Sequence, residues 1–243
     1  MQAILPVYPE LDAALHARLG EIFDPERKVL AALERIIPLS GKRIADVGTG
    51  IGHYPFLLAR RTARTYGIES DPLLLETARQ RASQAHQPNI RIVEGSLEHL
   101  PLRDGAVDVV LAGGIEPDEA ARPAIAEALR VLRAGGRLVV IGYYGRDDLA
   151  SLLEPEVVAH ARAATQRRSG WWLRNGFKIK VVHTRLDLSD QAIAMELLPL
   201  LYGDRGRAFL MAPHPASLVV NLGLYHMAKT SVSSSDRAEN QVR

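Results

Sequence analysis

The residues with the types and spacing to hold a small cation are Asp46, Gly48, Gly50 and Gly52, in the run Arg43-Ile44-Ala45-Asp46-Val47-Gly48-Thr49-Gly50-Ile51-Gly52. Apolar residues without helical period lead into a carboxylate, and the glycine triplet opens an Ala/Leu-rich segment from Pro55 to Arg60, the order of strand, tight turn and helix. Glycine permits positive φ in such a turn, lets a ligand approach the backbone, and lets strand and helix pack closely. The spacing is not the G-x-G-x-x-G of a dinucleotide site, in which a pyrophosphate reaches the helix N-terminus. Here the third glycine comes one residue early and Asp46 stands two residues before the first, where a carboxylate repels phosphate and suits a cation.

The elements that must carry this turn follow in regular alternation. Pro9 to Gly20 and Pro25 to Ile37 have helical pattern, the second with Asp24 as N-cap, Pro25 at the first helical position and Val29, Leu30, Leu33, Ile36 and Ile37 on one face. After the glycine strand and its helix come a strand from Arg64 to Glu69 and a helix begun by Asp71-Pro72 that turns Leu74, Leu75 and Ala78 inward. Asn89 to Glu94 and Ala106 to Ala112 read as further strands, the latter near-continuously apolar as in a sheet covered on both faces. A helix from Asp118 to Leu132, stopped by Gly135-Gly136, precedes a fifth strand from Arg137 to Ile141. The remainder reads as helix 155–168, a short helix 169–175 closed by Gly176, a strand from Phe177 to Thr184, a helix from Asp190 to Tyr202, and a final strand from Ser217 to Thr230 with a bulge at Gly223. Residues 231–243 are polar without an apolar face and are expected to be a flexible tail.

With 243 residues, 47% of them hydrophobic, the chain can bury one α/β core, and no composition break marks a second domain. The formal charge of +2 comes from interspersed residues, with no block suited to a phosphate backbone. Cysteine is absent, which removes disulfides, thiolate metal sites and cysteine nucleophiles. The histidines at 16, 86, 99, 160, 183, 214 and 226 show no metal-ligand spacing and are read as structural, with no metal expected. No apolar run reaches bilayer-spanning length and no secretory pattern opens the chain, so a soluble cytoplasmic location is expected.

Five stretches together resemble the class I S-adenosylmethionine (SAM)-dependent methyltransferases. Asp46 to Gly52 resembles the family's first motif, Tyr66-Gly67-Ile68-Glu69-Ser70-Asp71-Pro72 the second, and Glu94-Gly95-Ser96-Leu97-Glu98-His99-Leu100-Pro101 the adenine-side loop. Val107 to Ala112 and Val131 to Leu138 resemble the later core motifs, all in the family's order. The resemblance implies a Rossmann-like, doubly wound α/β fold: a mostly parallel sheet of about seven strands with an antiparallel final strand. It divides the chain into one domain over 1–230, with helices in 9–37, a cofactor-binding core at 42–142, a substrate or lid part at 143–216 and a last strand at 217–230. It implies SAM as cofactor, with Asp46 facing its amino group, the glycine backbone accommodating its methionine chain, Glu69 at the ribose hydroxyls and Ser96 in the adenine-side loop; Gly48, Thr49, Gly50, Gly52, Tyr54, Ser70, Leu97 and Gly113 complete the cofactor-binding set. Two departures stand out. Ser96 replaces the usual aspartate, and the fourth strand ends Ala112-Gly113-Gly114-Ile115-Glu116 without the Asn-Pro-Pro-Tyr type of motif of nucleobase amino methylases.

The implied activity is in-line transfer of the methyl group of SAM to a nucleophile, with catalysis mainly by positioning in a water-poor pocket. A small-molecule acceptor is the leading expectation; a protein or RNA acceptor, a non-catalytic SAM-binding regulator and a possible homodimer stay open, with nucleic acid disfavoured. An arginine patch of Arg60, Arg61, Arg64, Arg167 and Arg168 would serve RNA or protein. Glu116, Tyr143 and Tyr144, beyond the fourth and fifth strands, are the catalytic candidates for orienting or deprotonating the acceptor. His53 lies on a loop at the same edge. Trp171 and Trp172 read as core that could line a substrate pocket. The segment 185–216 is expected to fold over the site as a lid or to form an interface.

Overall fold

The apolar runs read as strands lie side by side in one seven-stranded sheet. The computed structural model describes residues 13–230, so the expected tail and the start of the helix expected from Pro9 lie outside the described residues. The strands are β1 (Arg43–Val47), β2 (Arg64–Glu69), β3 (Ile90–Glu94), β4 (Val107–Gly113), β5 (Leu132–Tyr143), β6 (Lys178–Asp187) and β7 (Ser217–Ala228). Their order is β3-β2-β1-β4-β5-β7-β6. Neighbours from β3 to β5 run parallel, and β7 alone is inserted antiparallel between β5 and β6. This is the expected mostly parallel α/β sheet. Strand order reverses beside β1, the place where open α/β sheets bind ligands beyond their strand ends.

The helices are α1 (Ala13–Phe23), α2 (Lys28–Ile36), α3 (His53–Ala59), α4 (Pro72–Gln84), α5 (Arg122–Val131), α6 (Pro155–Ala164), α7 (Trp171–Arg174) and α8 (Gln191–Met211). Alternate strand residues serve the two faces, as the period of two requires. Ile44, Leu111 and Val139 pack with Phe23, Leu33 and Leu197 of α1, α2 and α8. Ala45, Val110 and Leu138 pack with Ala128 of α5 and Trp172 of α7. No helix among the described residues is long and apolar enough to cross a membrane.

Local chemistry sets the entries to the site. Asp71 caps α4 by accepting from Leu73 N at 2.9 Å and Leu74 N at 3.0 Å, with Pro72 in the first turn. The loop after β3 is tied to α5 through Glu127, which accepts from Leu100 N at 2.8 Å, and through Arg130, which donates to the carbonyls of Leu100 and Leu102 at 3.1 and 2.9 Å.

Several boundaries differ from the sequence reading. Asp24 does cap α2, accepting from Lys28 N and Val29 N at 2.8 Å each, but Pro25 is not its first helical residue. A turn ending at Arg27, with φ 54°, intervenes. Gly135 and Gly136 do not stop α5; they lie within β5, where Gly135 N donates to Lys229 O and Gly136 O accepts from Lys229 N. Helix α6 ends at Ala164, short of 168, and α8 continues past Tyr202 to Met211 across a kink at Gly203.

The bulge expected at Gly223 is absent: the residue pairs in unbroken register with Gly142 and Val181. A Cβ there would lie 2.4 Å from the Tyr225 ring, so the glycine makes room for that ring, which stacks on Trp172 at 4.3 Å. Gly223→Ala should therefore cost roughly 1–3 kcal/mol by overpacking. Urea unfolding would measure this, and an unchanged midpoint would show that the ring is free to swing aside.

Candidate active site

The glycine turn is strapped to the end of β2. Gly48 N and Thr49 N both donate to Ile68 O, at 2.9 and 3.1 Å. Glu69, 3% exposed, accepts from Gly50 N at 2.7 Å through one oxygen and from Ser70 N and Asp71 N at 2.8 and 3.0 Å through the other. A carboxylate has about four lone-pair sites. Three are thus committed to backbone, and the group fixes the loop as well as offering charge to a ligand. The three glycines all have positive φ but do different work. A Cβ on Gly52 would strike the Phe56 ring at 2.7 Å, whereas no atom lies within 4 Å of the Cβ positions of Gly48 and Gly50. The space above those two is open to a ligand, and side chains there would fill it.

Asp46 is 4% exposed and accepts from Thr49 Oγ1 at 2.6 Å. Among the described residues no cation pairs with it. Burial pushes its pKa up to about 7, the Thr49 bond opposes this, and the charge of Glu69 adds to it. Together with Gly48, Tyr54, Gly113, Phe23 and Leu222 it lines a cavity beyond the ends of β1 and β4. Burial also pushes the Tyr54 hydroxyl pKa up, so it stays protonated there.

A second cavity adjoins the first, sharing Ile141 and Gly142 as a common wall. Glu116, Tyr143, Val157, His160, Trp172 and Tyr225 contribute to it. Burial raises the Glu116 pKa and His160 opposes that shift. Their nearest charged atoms, Glu116 Oε2 and His160 Nε2, are 3.9 Å apart.

These two cavities gather many of the expected site residues and leave others aside. Asp46, Gly48, Tyr54 and Gly113 meet at the first; Glu116 and Tyr143 meet at the second. Tyr143 brings its ring, but its hydroxyl donates to Asp147 Oδ1 at 2.6 Å and its pKa is raised by burial and by that bond, so it is no proton acceptor. Tyr144 lines neither cavity; its ring lies under the Arg146 guanidinium. Ser70 is exposed beside Glu69. Ser96 makes a tight turn with His99, and Leu97 packs toward the α5 side of the core, so neither reaches these cavities. His53 is packed over Gly20, away from both. The lid expected from 185–216 covers neither cavity: α8 buries Ala194, Leu197 and Leu198 in the core, and the cover comes from Leu153, Val157 and His160 instead. The arginine patch is not assembled, because Arg61 and Arg64 stand at β2 while Arg167 and Arg168 precede α7, which packs on β6 at the far end of the sheet.

Sequence reasoning passed over His160 and Tyr225. Nothing local marks them, since each reaches the cavity from an element distant in the chain.

Residues 45–140 match a family model described as a methyltransferase domain. Over that stretch the chain is similar to methyltransferase domains. The demethylmenaquinone methyltransferase of Deinococcus radiodurans is 36% identical over 116 residues, which are 46% of this chain and 48% of the relative. The enzyme of the same name from Thermus thermophilus is 37% identical over 120 residues, 48% of this chain and 52% of the relative. The chain thus spans about half the length of these curated relatives. Among solved structures, the YcgJ protein of Bacillus subtilis shares the fold with a TM-score of 0.59 at 18% identity, covering 85% of this chain and 99% of that one. Asp46, the glycine turn, Glu69, Gly113 and Glu116 all lie inside the matched stretch; Tyr143, His160, Trp172 and Tyr225 lie outside it.

The buried, unpaired Asp46 has a thermodynamic consequence. Its folded pKa of about 7 exceeds the ordinary carboxylate value of 3.8, so its ionisation costs stability as pH rises between these two values. Asp46→Asn should stabilise the ligand-free protein by roughly 2–4 kcal/mol above pH 7, with the gain fading to nothing by about pH 4. Urea unfolding at pH 8 and pH 4 would check this. A variant less stable at pH 8 would mean that the carboxylate is compensated in the free protein.

Proposed function

We propose that this chain is an SAM-dependent methyltransferase acting on a small molecule. The observation that carries the reading is Asp46: a buried carboxylate without a cation partner, facing a cavity floored by glycines that leave room for a ligand. Such a group is costly in the free protein and is repaid by a cationic ligand. The donor set fits SAM in both charge and shape. Asp46 would hold its amino group, the backbone at Gly48 and Gly50 its methionine chain, and Glu69 its ribose hydroxyls. SAM, when bound, supplies a methyl carbon activated by a positively charged sulfur.

The chain's own residues do the rest by placement. Gly113, Ile141 and Gly142, at the ends of β4 and β5, wall the first cavity, and Ile141 and Gly142 also wall the second. An acceptor in the second cavity is thereby held against the neighbouring first. Orientation of this kind supplies several kcal/mol of a displacement barrier. Apolar side chains such as Ile115, Leu153 and Val157 exclude water from it. The cavity has the largely apolar walls of a small-molecule site, and the two relatives named demethylmenaquinone methyltransferase support that acceptor class. The dispersed arginines speak against an RNA acceptor.

Calorimetry tests the donor assignment: SAM should bind and NAD should give no heat, because Asp46 and Glu69 together oppose a pyrophosphate. The affinity for SAM should fall roughly tenfold per pH unit below about pH 7 as Asp46 takes up a proton. Asp46→Asn should weaken binding about ten- to a hundredfold, the loss of one charge-assisted contact. Micromolar binding of NAD, or SAM binding indifferent to both pH and Asp46→Asn, would end the assignment. Label from methyl-labelled SAM should move to small molecules of a cell extract rather than to protein or RNA.

A further inference from the structure

We propose that His160 is the general base of the second cavity, that Glu116 is its positioning residue, and that the acceptor is a flat, apolar ring bearing an acidic hydroxyl. The proposal deepens the methyltransferase reading and rests on it.

Most polar atoms in the cavity are already committed to partners. Four of its lining residues titrate: Glu116 from the loop after β4, Tyr143 of β5, His160 of α6 and Tyr225 of β7. Both tyrosine hydroxyls are committed, Tyr143 donating to Asp147 and Tyr225 donating to Tyr143 O at 2.9 Å. Burial raises the pKa of each, so neither accepts a proton near neutrality. Arg162, the nearest cation on α6, is turned to Gly145 O. That leaves the pair. His160 Nε2 is buried yet has no hydrogen-bond partner among the described residues, and buried polar atoms without partners call for an explanation. Glu116 Oε2 lies 3.9 Å from it, too far for a hydrogen bond. Asp118 is the further acid acting on Glu116. An imidazole nitrogen that faces an acceptor cavity without a partner, with a carboxylate beside it, is suited to taking up the acceptor's proton.

The walls set the shape of the acceptor. Trp172, 2% exposed, is held rigid by its stack on Tyr225 with the rings 9° from parallel, and Ile115, Ile141 and Val157 complete an apolar surround. Such a space selects an aromatic ring, with its one polar edge directed to His160. In the reaction, the acceptor's O–H bond breaks, its proton passing to Nε2 and its electron pair staying on oxygen. That oxygen forms the new C–O bond as the methyl carbon's bond to sulfur breaks with its pair left on sulfur, and the imidazolium then returns its proton to solvent.

4-Nitrophenol tests this without methyl transfer, because its phenolate absorbs visibly and its phenol does not. Trp171 and Trp172 are the chain's two tryptophans, so quenching of intrinsic fluorescence reports occupancy of the cavity that Trp172 lines. At one pH unit below the probe's own pKa, about a tenth of free probe is ionised. Bound to the unaltered protein it should be mostly phenolate. His160→Gln should bind it with similar quenching but leave it in the phenol form, and Glu116→Gln should move the appearance of phenolate to higher pH. Calorimetry with SAM verifies that each variant is folded. Phenolate persisting in His160→Gln would overturn the base assignment, and absence of quenching at millimolar probe would overturn the acceptor class. Either failure with SAM binding intact leaves the methyltransferase reading standing, whereas a bound phenolate without SAM binding would leave the cavity assignment and remove the donor.

Discussion

The carboxylate of Glu69 is the joint on which the rest of the site hangs. One oxygen holds Gly50 N and the other holds the amides of Ser70 and Asp71, so a single buried side chain couples the turn after β1 to the start of α4. Without that coupling, a loop with three glycines at positive φ would have little reason to keep one conformation, since glycine loses more backbone entropy on ordering than any other residue. The same carboxylate raises the cost of ionised Asp46. Two acids are thus kept close without a cation among the described residues to pair Asp46, which is unfavourable for the free protein and would be relieved by a positively charged ligand.

What the sequence disclosed is what local chemistry decides. The turn from Asp46 to Gly52 is written in consecutive residues, Asp71-Pro72 announces its helix by capping alone, and the apolar run of β4 declares a strand covered on both faces. The second cavity is different in kind. Ile115, Tyr143, His160, Trp172 and Tyr225 come from five separate places, and no spacing within any one of them signals the others. Gly223 shows the same limit: it was read as a bulge because glycine in a strand weakens pairing, but its reason is the Tyr225 ring lying over it. Whether 185–216 forms a lid or an interface is not legible in its length, because length alone does not say where a segment packs, and α8 has a core face to bury.

The division between legible and illegible parts coincides with a division of labour. The matched stretch 45–140 holds the groups suited to the donor, while most of the second cavity is built from later residues. A fold supplies the scaffold and the site supplies the chemistry. The residues bonded to the Glu69 carboxylate all lie before 143, so the later segment can differ without touching that joint.

The placement of β7 has a consequence for how the chain comes to be folded during its synthesis. The last strand in sequence is not the last in space: it sits between β5 and β6 and hydrogen-bonds to both. While the ribosome has delivered only the chain up to α8, β5 presents an open, apolar edge and β6 has no sheet to join. Such edges invite pairing with other chains. The second cavity also lacks Tyr225 at that stage, and Trp172 lacks the ring it stacks on. Arrival of 217–228 therefore closes the sheet and supplies both the ring on which Trp172 stacks and one wall of the second cavity.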